Sequence, residues 1–406
     1  MRAFSLACAA AAAFAARASA DLGQLALQKV LQDGLEVFGD TAVGNTDTRS
    51  ATWMAGLSDN TPLAHLNIPG THDAATWNYS AATQAALAYA TRCDGVTVFP
   101  AEVYRCQHHG ISAALDAGVR FFDLRFAFDP LDERLVFWHS SALVSAVATV
   151  EDVLFAFYDW LDKHPSEALL LSFQYEGGTK ANASFDARAQ VEMVRVLTSE
   201  AAGVYLRQDS GRLGTLGESR GKIVLVRRFD VEGLDDTLPG LHMGPTAWLD
   251  NDPKGFALVY NTTTNATAYI EDYYEPDSLG ENSTVAVNVA AKFDAVKTHL
   301  KLAASSAKEK SGDEADSLFI TFASAEHNSN TPPVFPKTMA LGNGTIVTPD
   351  GGVNHQLVTL LQHMQDSRLG VVVVDFFDEP ANLIELILGS QVNDTSRGYR
   401  RDLLKH

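Results

Sequence analysis

The chain has 406 residues, 46% hydrophobic and 20% charged, with 31 Lys and Arg against 50 Asp and Glu, for a net charge of −19. This composition excludes intrinsic disorder, a collagen-like repeat and a small disulfide-stapled scaffold, leaving a globular protein of one large or two ordinary domains. The negative balance argues against a duplex-DNA or polyphosphate binder and against electrostatic docking on anionic lipid, since both need clustered Lys and Arg.

Residues 1–20 read MRAFSLACAAAAAFAARASA. A basic Arg2, an Ala-rich apolar stretch and the small-x-small Ala18-Ser19-Ala20 predict a secretory signal cut before Asp21, and hence an extracellular protein. An amphipathic helix is the alternative reading of the same stretch. Removing the signal takes away Cys8 and leaves Cys93 and Cys106, an even pair expected to form a disulfide in an oxidising compartment. Two free buried thiols are the bland alternative. Seven Asn-x-Ser/Thr sequons, at Asn78, Asn182, Asn261, Asn265, Asn282, Asn343 and Asn393, become glycosylation sites on that route. After the signal no run is apolar for long enough to span a bilayer.

Short β-branched or aromatic runs then alternate with segments of helical period. Strands are predicted at His65–Ile68, Val119–Phe126, Leu135–Trp138, Ala168–Phe173, Lys222–Arg227, Leu318–Ala323 and Gly370–Phe376. Helices are predicted at Gly110–Ala117, Val150–His164, Ser184–Gly203, Val285–Ala307, Asn354–Asp366 and Pro380–Ser390. Such alternation, without a polar linker or a G-x-G-x-x-G after the first strand, points to one α/β unit and favours a (β/α) barrel over a dinucleotide-binding sheet. Asp230–Asn282 and Glu326–Gly352 are expected to be long surface loops. The organisation is thus a signal (1–20), an N-terminal extension (21–60), a catalytic barrel (61–392) and a polar tail (393–406).

Polar groups stand at the ends of four predicted strands, where a barrel keeps its active site: His72 and Asp73 in IPGTHDAAT, Asp123 and Arg125 in FFDLRF, His139 in LVFWHSS, and Asp375 in VVVVDFF. Taken singly, each histidine also reads as a capping or core group, and Arg125 as a structural partner of Asp123. Four such coincidences at one end of a sheet favour a general acid–base pair with an anion clamp.

Together, IPGTHDAATW, AGVRFFDLRF, LVFWH, HPSEALLLSF, RGKIVLVRRF and GVVVVDFF resemble, in order, the motifs of the catalytic domain of phosphatidylinositol-specific phospholipase C. The likeness runs from about Thr61 to Leu388 and is greatest to the single-domain bacterial type. It implies a distorted (β/α)8 TIM barrel and a phosphodiesterase cleaving phosphatidylinositol, or a glycosyl-phosphatidylinositol anchor, to diacylglycerol and inositol 1,2-cyclic phosphate. It implies His72 as general base oriented by Asp375, His139 as general acid paired with Asp73, and Arg125 on the phosphate, supported by Asp123. Head-group contacts are carried over to Arg228, Asp272 and Tyr274. Gln174 departs from the pattern, because a charged residue is usual there, and this puts the head group in doubt.

No cofactor or metal is expected: Arg125 stands where the calcium-dependent branch carries an acidic ligand, and a fixed guanidinium repels a hard cation. The resemblance also implies transient membrane contact, while the negative charge leads us to expect no nucleic-acid partner; a monomer is expected. Trp77, Trp248 and Phe335 are candidates for an apolar rim but read better as packed core. A phosphodiesterase for another phospholipid head group and a non-catalytic inositol-lipid-binding barrel are the alternatives.

Overall fold

The computed structural model describes residues 22–40, 48–91, 99–131, 133–176, 187–231, 233–306 and 316–392. The signal, Cys93, Asn182, Asn393 and the polar tail lie outside them.

Strand β1 (Ile68–Thr71) is followed by β2 (Phe121–Phe128), β3 (Leu135–His139), β4 (Ala142–Leu143), β5 (Ala168–Tyr175), β6 (Lys222–Arg228), β7 (Leu241–His242), β8 (Phe256–Asn261), β9 (Ala266–Glu271), β10 (Leu318–Phe322) and β11 (Val371–Val374). The sheet runs β7-β6-β5-β2-β1-β11-β10-β9-β8. Every pair on this path is parallel except the β8–β9 hairpin. First and last strands therefore close on each other, with Thr71 opposite Val374. Among the described residues no strand pairing joins β7 to β8 or β9, so the result is a TIM barrel open on one side.

Buried parallel strands read as continuous apolar runs because both faces are covered. Leu169 to Leu171 and Val371 to Val374 are all buried, as those runs require. β1 lies three residues beyond its expected place, since Leu63–His65 forms a short 3-10 turn. Pro69 and Gly70 hide the strand from propensity, and its pairing with two apolar strands creates it. A Cβ on Gly70 would sit 3.0 Å from the Phe121 ring, so only glycine lets these strands approach.

Asp230–Asn282 is not simply a loop: it supplies β7, β8 and β9, the last hydrogen-bonded to β10. The apolar run FALVYN of β8 is set among Asn, Asp and Thr, which hide it in the sequence, and pairing with β10 makes a strand of ATAYIE. Glu326–Gly352 contains the short helices Pro336–Leu341 and Gly344–Val347.

Helices cover the barrel. Val150–Lys163 starts at a reciprocal cap between Thr149 and Asp152 and turns Val153, Leu154, Phe157 and Leu161 inward at helical spacing. Phe157 meets Phe38 edge-on at 5.1 Å and Phe122 at 5.3 Å. Phe38 thereby ties the N-terminal extension to the core. Ile111–Ala117, Val285–Ser306, Val353–Gln362 and Leu383–Leu388 cover other strands. At the end of the barrel where β2 and β5 begin, fully buried Arg120 donates to Glu167 Oε2 at 2.8 and 3.1 Å and to four backbone carbonyls. No helix among the described residues is long and apolar enough to cross a membrane.

Candidate active site

The residues singled out from the sequence converge on the end of the barrel where the parallel strands finish. His72 and Asp73 follow β1, Asp375 follows β11, and Asp123 and Arg125 lie two apart on β2 and so point to one side. His139 arrives by another route. β3 runs antiparallel to β2, pairing Leu135 with Phe128 and Phe137 with Phe126, so the chain overshoots the mouth and returns to it. A common strand polarity, expected for all four groups, therefore does not hold for His139. The hairpin delivers it instead.

His72, Arg125, His139 and Asp375 line one cavity of about 880 Å3, with Asp73 and Asp123 fully buried below. The two histidine rings lie 6.1 Å apart and nearly perpendicular. His72 Nδ1 is 2.8 Å from Asp375 Oδ1, and Arg125 Nη2 donates to His72 Nε2 at 2.8 Å. These partners select the neutral tautomer with its proton on Nδ1 and its lone pair on Nε2. Burial alone would lower the His72 pKa, but the charge and hydrogen bond of Asp375 outweigh it and raise it above the ordinary value.

His139 is set the other way. Its Nδ1–H donates to the Tyr104 carbonyl at 2.9 Å, and Nδ1 also lies 3.0 Å from Asp73 Oδ2. Burial, then the positive charge of Arg125 and His72, push His139 down to about 4. Asp73 takes a left-handed backbone, φ 41°, and neither carboxyl oxygen has a hydrogen bond. Burial drives its pKa up to about 7. Two environments thus separate the two histidines, but in the free protein the order favours the proton on His72 and leaves His139 neutral.

Arg125 is held by carboxylates on three sides: Asp123 Oδ2 at 3.3 Å, Glu176 Oε1 at 3.3 Å and Asp73 Oδ2 at 3.6 Å. Burial would raise Asp123, yet Arg125 and Arg228 hold it below the ordinary range. Two groups here, His72–Cys106–Asp375 and Asp73–Cys106–His139, bring donor atoms within 4.8 Å of one another. A guanidinium 2.8 Å from His72 Nε2 makes them poor cation sites.

Toward the open side, Arg228 reaches Asp123 at 3.5 Å and Asp272 at 3.6 Å, and its guanidinium lies 3.7 Å from the centre of the Trp248 ring. Trp248 Nε1 donates to Asp272 Oδ2 at 2.8 Å, and Tyr274 OH donates to Asp250 at 2.9 Å. Gln174 also lines the cavity, its buried Oε1 without a partner. Trp77 is not on a rim: its Nε1 donates to the Val37 carbonyl at 3.0 Å. Phe335 packs beside Tyr79 and Tyr104.

Sequence reading missed Glu176, which stands two residues beyond Gln174 and, by strand alternation, on the same face. It also missed the Tyr104 carbonyl and Glu326, whose carboxyl is pushed up to about 8 by burial and then by Glu275. A backbone carbonyl leaves no trace in side-chain pattern. Of the expected Cys93–Cys106 pair, Cys106 is a free buried thiol 3.9 Å from His139 Nδ1, and Cys93 lies outside the described residues. Packing at the site accounts for its burial without a bond.

No protein-family model matches the chain. It is 27% identical over 174 residues to the 1-phosphatidylinositol phosphodiesterase of Listeria monocytogenes, covering 43% of this chain and 47% of that protein. It is 34% identical over 145 residues to mouse PI-PLC X domain-containing protein 1, covering 32% and 41%. The chain thus spans less than half the length of these curated relatives. A phosphatidylinositol-specific phospholipase C mutant from Staphylococcus aureus superposes with a TM-score of 0.61 at 19% identity, over 84% of this chain and 98% of that one. The Listeria phospholipase structure gives 0.55 at 19%, over 84% and 97%. The chain therefore has the fold of the bacterial phosphatidylinositol-specific phospholipases C and homologues among proteins named for the PI-PLC X domain.

Proposed function

We propose that this protein is a secreted phosphodiesterase that cleaves phosphatidylinositol, or a glycosyl-phosphatidylinositol anchor, to diacylglycerol and inositol 1,2-cyclic phosphate. The observation that carries the reading is the pair of perpendicular histidines in one cavity, one oriented by Asp375 and the other by the Tyr104 carbonyl, with Arg125 between them. His72 Nε2 takes the proton of the inositol 2-hydroxyl, whose oxygen attacks phosphorus. Asp375 holds the tautomer and stabilises the imidazolium that forms. Arg125 turns its donors to the non-bridging oxygens, where charge grows in the transition state, and so releases His72 Nε2. His139 returns a proton to the departing diacylglycerol oxygen. It is neutral in the free protein, and the phosphodiester's negative charge offsets Arg125 and favours its protonation.

The head group fits beside Arg228, Asp272 and Tyr274. Gln174 and Glu176 together replace the single charged group expected at Gln174. A positive charge fixed at Arg125 makes calcium unnecessary for the chemical step.

Phosphorus NMR of the reaction on phosphatidylinositol vesicles in EDTA tests this. A cyclic phosphate signal that disappears in His72→Ala supports it. No cyclic phosphate, full activity in the variant, or activity recovered by calcium but not by zinc would refute it. Export is supported by the character of residues 1–20 and by exposed sequons at Asn78, Asn265, Asn282 and Asn343. N-terminal sequencing of material from the medium should begin at Asp21.

A further inference from the structure

Two loops meet beside the active site without lining its cavity. One carries His108 and His109 ahead of the helix Ile111–Ala117, and the other carries Asp378 and Glu379 just beyond Asp375. His108 Nδ1 lies 3.2 Å from Asp378 Oδ2 and 3.5 Å from Glu379 Oε1, and His109 Nε2 lies 3.4 Å from the same Asp378 oxygen. The donor atoms of His108, Asp378 and Glu379 all fall within 4.8 Å of one another. Asp378 Oδ1 is buried and has no hydrogen-bond partner.

We propose that His108, His109, Asp378 and Glu379 form a zinc site that clips these two loops together. The separations carry the assignment. Tetrahedral zinc bonds nitrogen and oxygen at about 2.0–2.2 Å, which places neighbouring ligands about 3.3–3.6 Å apart. Three of the six edges, at 3.2, 3.4 and 3.5 Å, lie close to those lengths before any ion arrives, and His109, which touches Asp378 but stands outside the group of mutually close donors, turns its exposed ring to complete the set. Two imidazoles with two carboxylates suit zinc, whereas calcium and magnesium ask for oxygen alone. Among the described residues no guanidinium is paired with these four groups, unlike the cluster around Arg125.

The backbone around the site is already fixed. Gln107 Nε2 donates to the carbonyls of His72 and Val374 at 2.8 and 3.0 Å. Phe376 N–H donates to the Cys106 carbonyl at 2.9 Å. Asn354 Nδ2 donates to the carbonyls of Asp375 and Glu379 at 2.8 and 2.9 Å. The His108 ring packs against Phe376 at 4.6 Å. A ligand set held this way loses little entropy on binding. Zinc at His108 Nδ1 requires the ring proton on Nε2, so the hydrogen bond to Asp378 gives way to two bonds to the ion. The ion takes no part in the chemistry. It secures the loop from which Asp375 reaches His72.

The test uses the full chain stripped with EDTA and freed of chelator, titrated with cobalt and then zinc. Expected are one equivalent of cobalt with tetrahedral visible absorption, its displacement by zinc, and a zinc-dependent rise in Tm. His109→Ala and Asp378→Asn should each weaken zinc by about tenfold or more, the least that loss of a supporting partner costs at metal sites. His109 is 58% exposed, so its replacement leaves the fold intact and keeps the test open if Asp378→Asn fails to fold. No saturable binding, or equal binding in folded His109→Ala, would overturn the proposal. So would loss of binding in His72→Ala alone, which would place the ion in the catalytic cluster.

Discussion

Replacing Asp375 with Asn tests how the base is armed. Asp375 is 1% exposed, and its Oδ1 stands 2.8 Å from His72 Nδ1. At an effective dielectric of about 20, a full charge at that separation is worth roughly 6 kcal/mol to the imidazolium. Asn removes this charge, and neither amide orientation repairs the loss. With Nδ2 toward the ring, the histidine must carry its proton on Nε2, where it faces the Arg125 donor and has no lone pair for the inositol hydroxyl. With Oδ1 toward the ring, the tautomer survives but the amide enters the partnerless Oδ2 position, at about 1–3 kcal/mol for the unmet donors. The expected fall in kcat is about 10⁴-fold, matching the roughly 5.5 kcal/mol that four decades represent. Turnover of phosphatidylinositol vesicles, followed by phosphorus NMR, reads it, with circular dichroism to show the variant folded. A folded Asn variant within about tenfold of wild type would refute the reasoning, leaving Asp375 a packing residue.

His72 can act only when neutral, and its pKa is raised, so activity should climb through an acidic limb displaced above the ordinary histidine value. Weakening the Asp375 charge should move that limb to lower pH. His139 should titrate near 4 in the ligand-free protein and move upward when inositol 1-phosphate is added, as read by histidine NMR in a specifically labelled sample; an unchanged value would remove the anion's role in arming the acid. Trp248→Ala strips the ring from Arg228 and the indole donor from Asp272 and should raise KM by about 2- to 30-fold with little change in kcat, the range a cation–π contact of about 0.5–2 kcal/mol permits. Glu167→Ala, at the opposite end of the barrel, leaves a fully buried Arg120 uncompensated and should cost about 3–5 kcal/mol in denaturant unfolding, while folded molecules keep their turnover.

The strands beginning near Val119, Ala168, Lys222, Leu318 and Gly370 were legible because both-side burial writes itself as unbroken apolar runs. The histidines, carboxylates and arginines at the ends of those runs were legible for the same reason: a polar group after an apolar strand is conspicuous. Ile68–Thr71 and Ala266–Glu271 were not, because their strand character comes from partners distant in sequence.

The amino-acid order alone therefore determined the alternation of the barrel, the identity of the residues at its mouth and the overall negative charge, since each is a local property of pattern. Tertiary structure decided what those residues do to one another. Only the return of β3 along β2 brings His139 within reach of Asp73 and the Tyr104 carbonyl. Only the closure of β11 on β1 brings Asp375 to His72 across 303 positions. Protonation states, the hold on Arg125 and the His108–Asp378 clip follow from distance and burial, which act through space and leave no mark on sequence spacing.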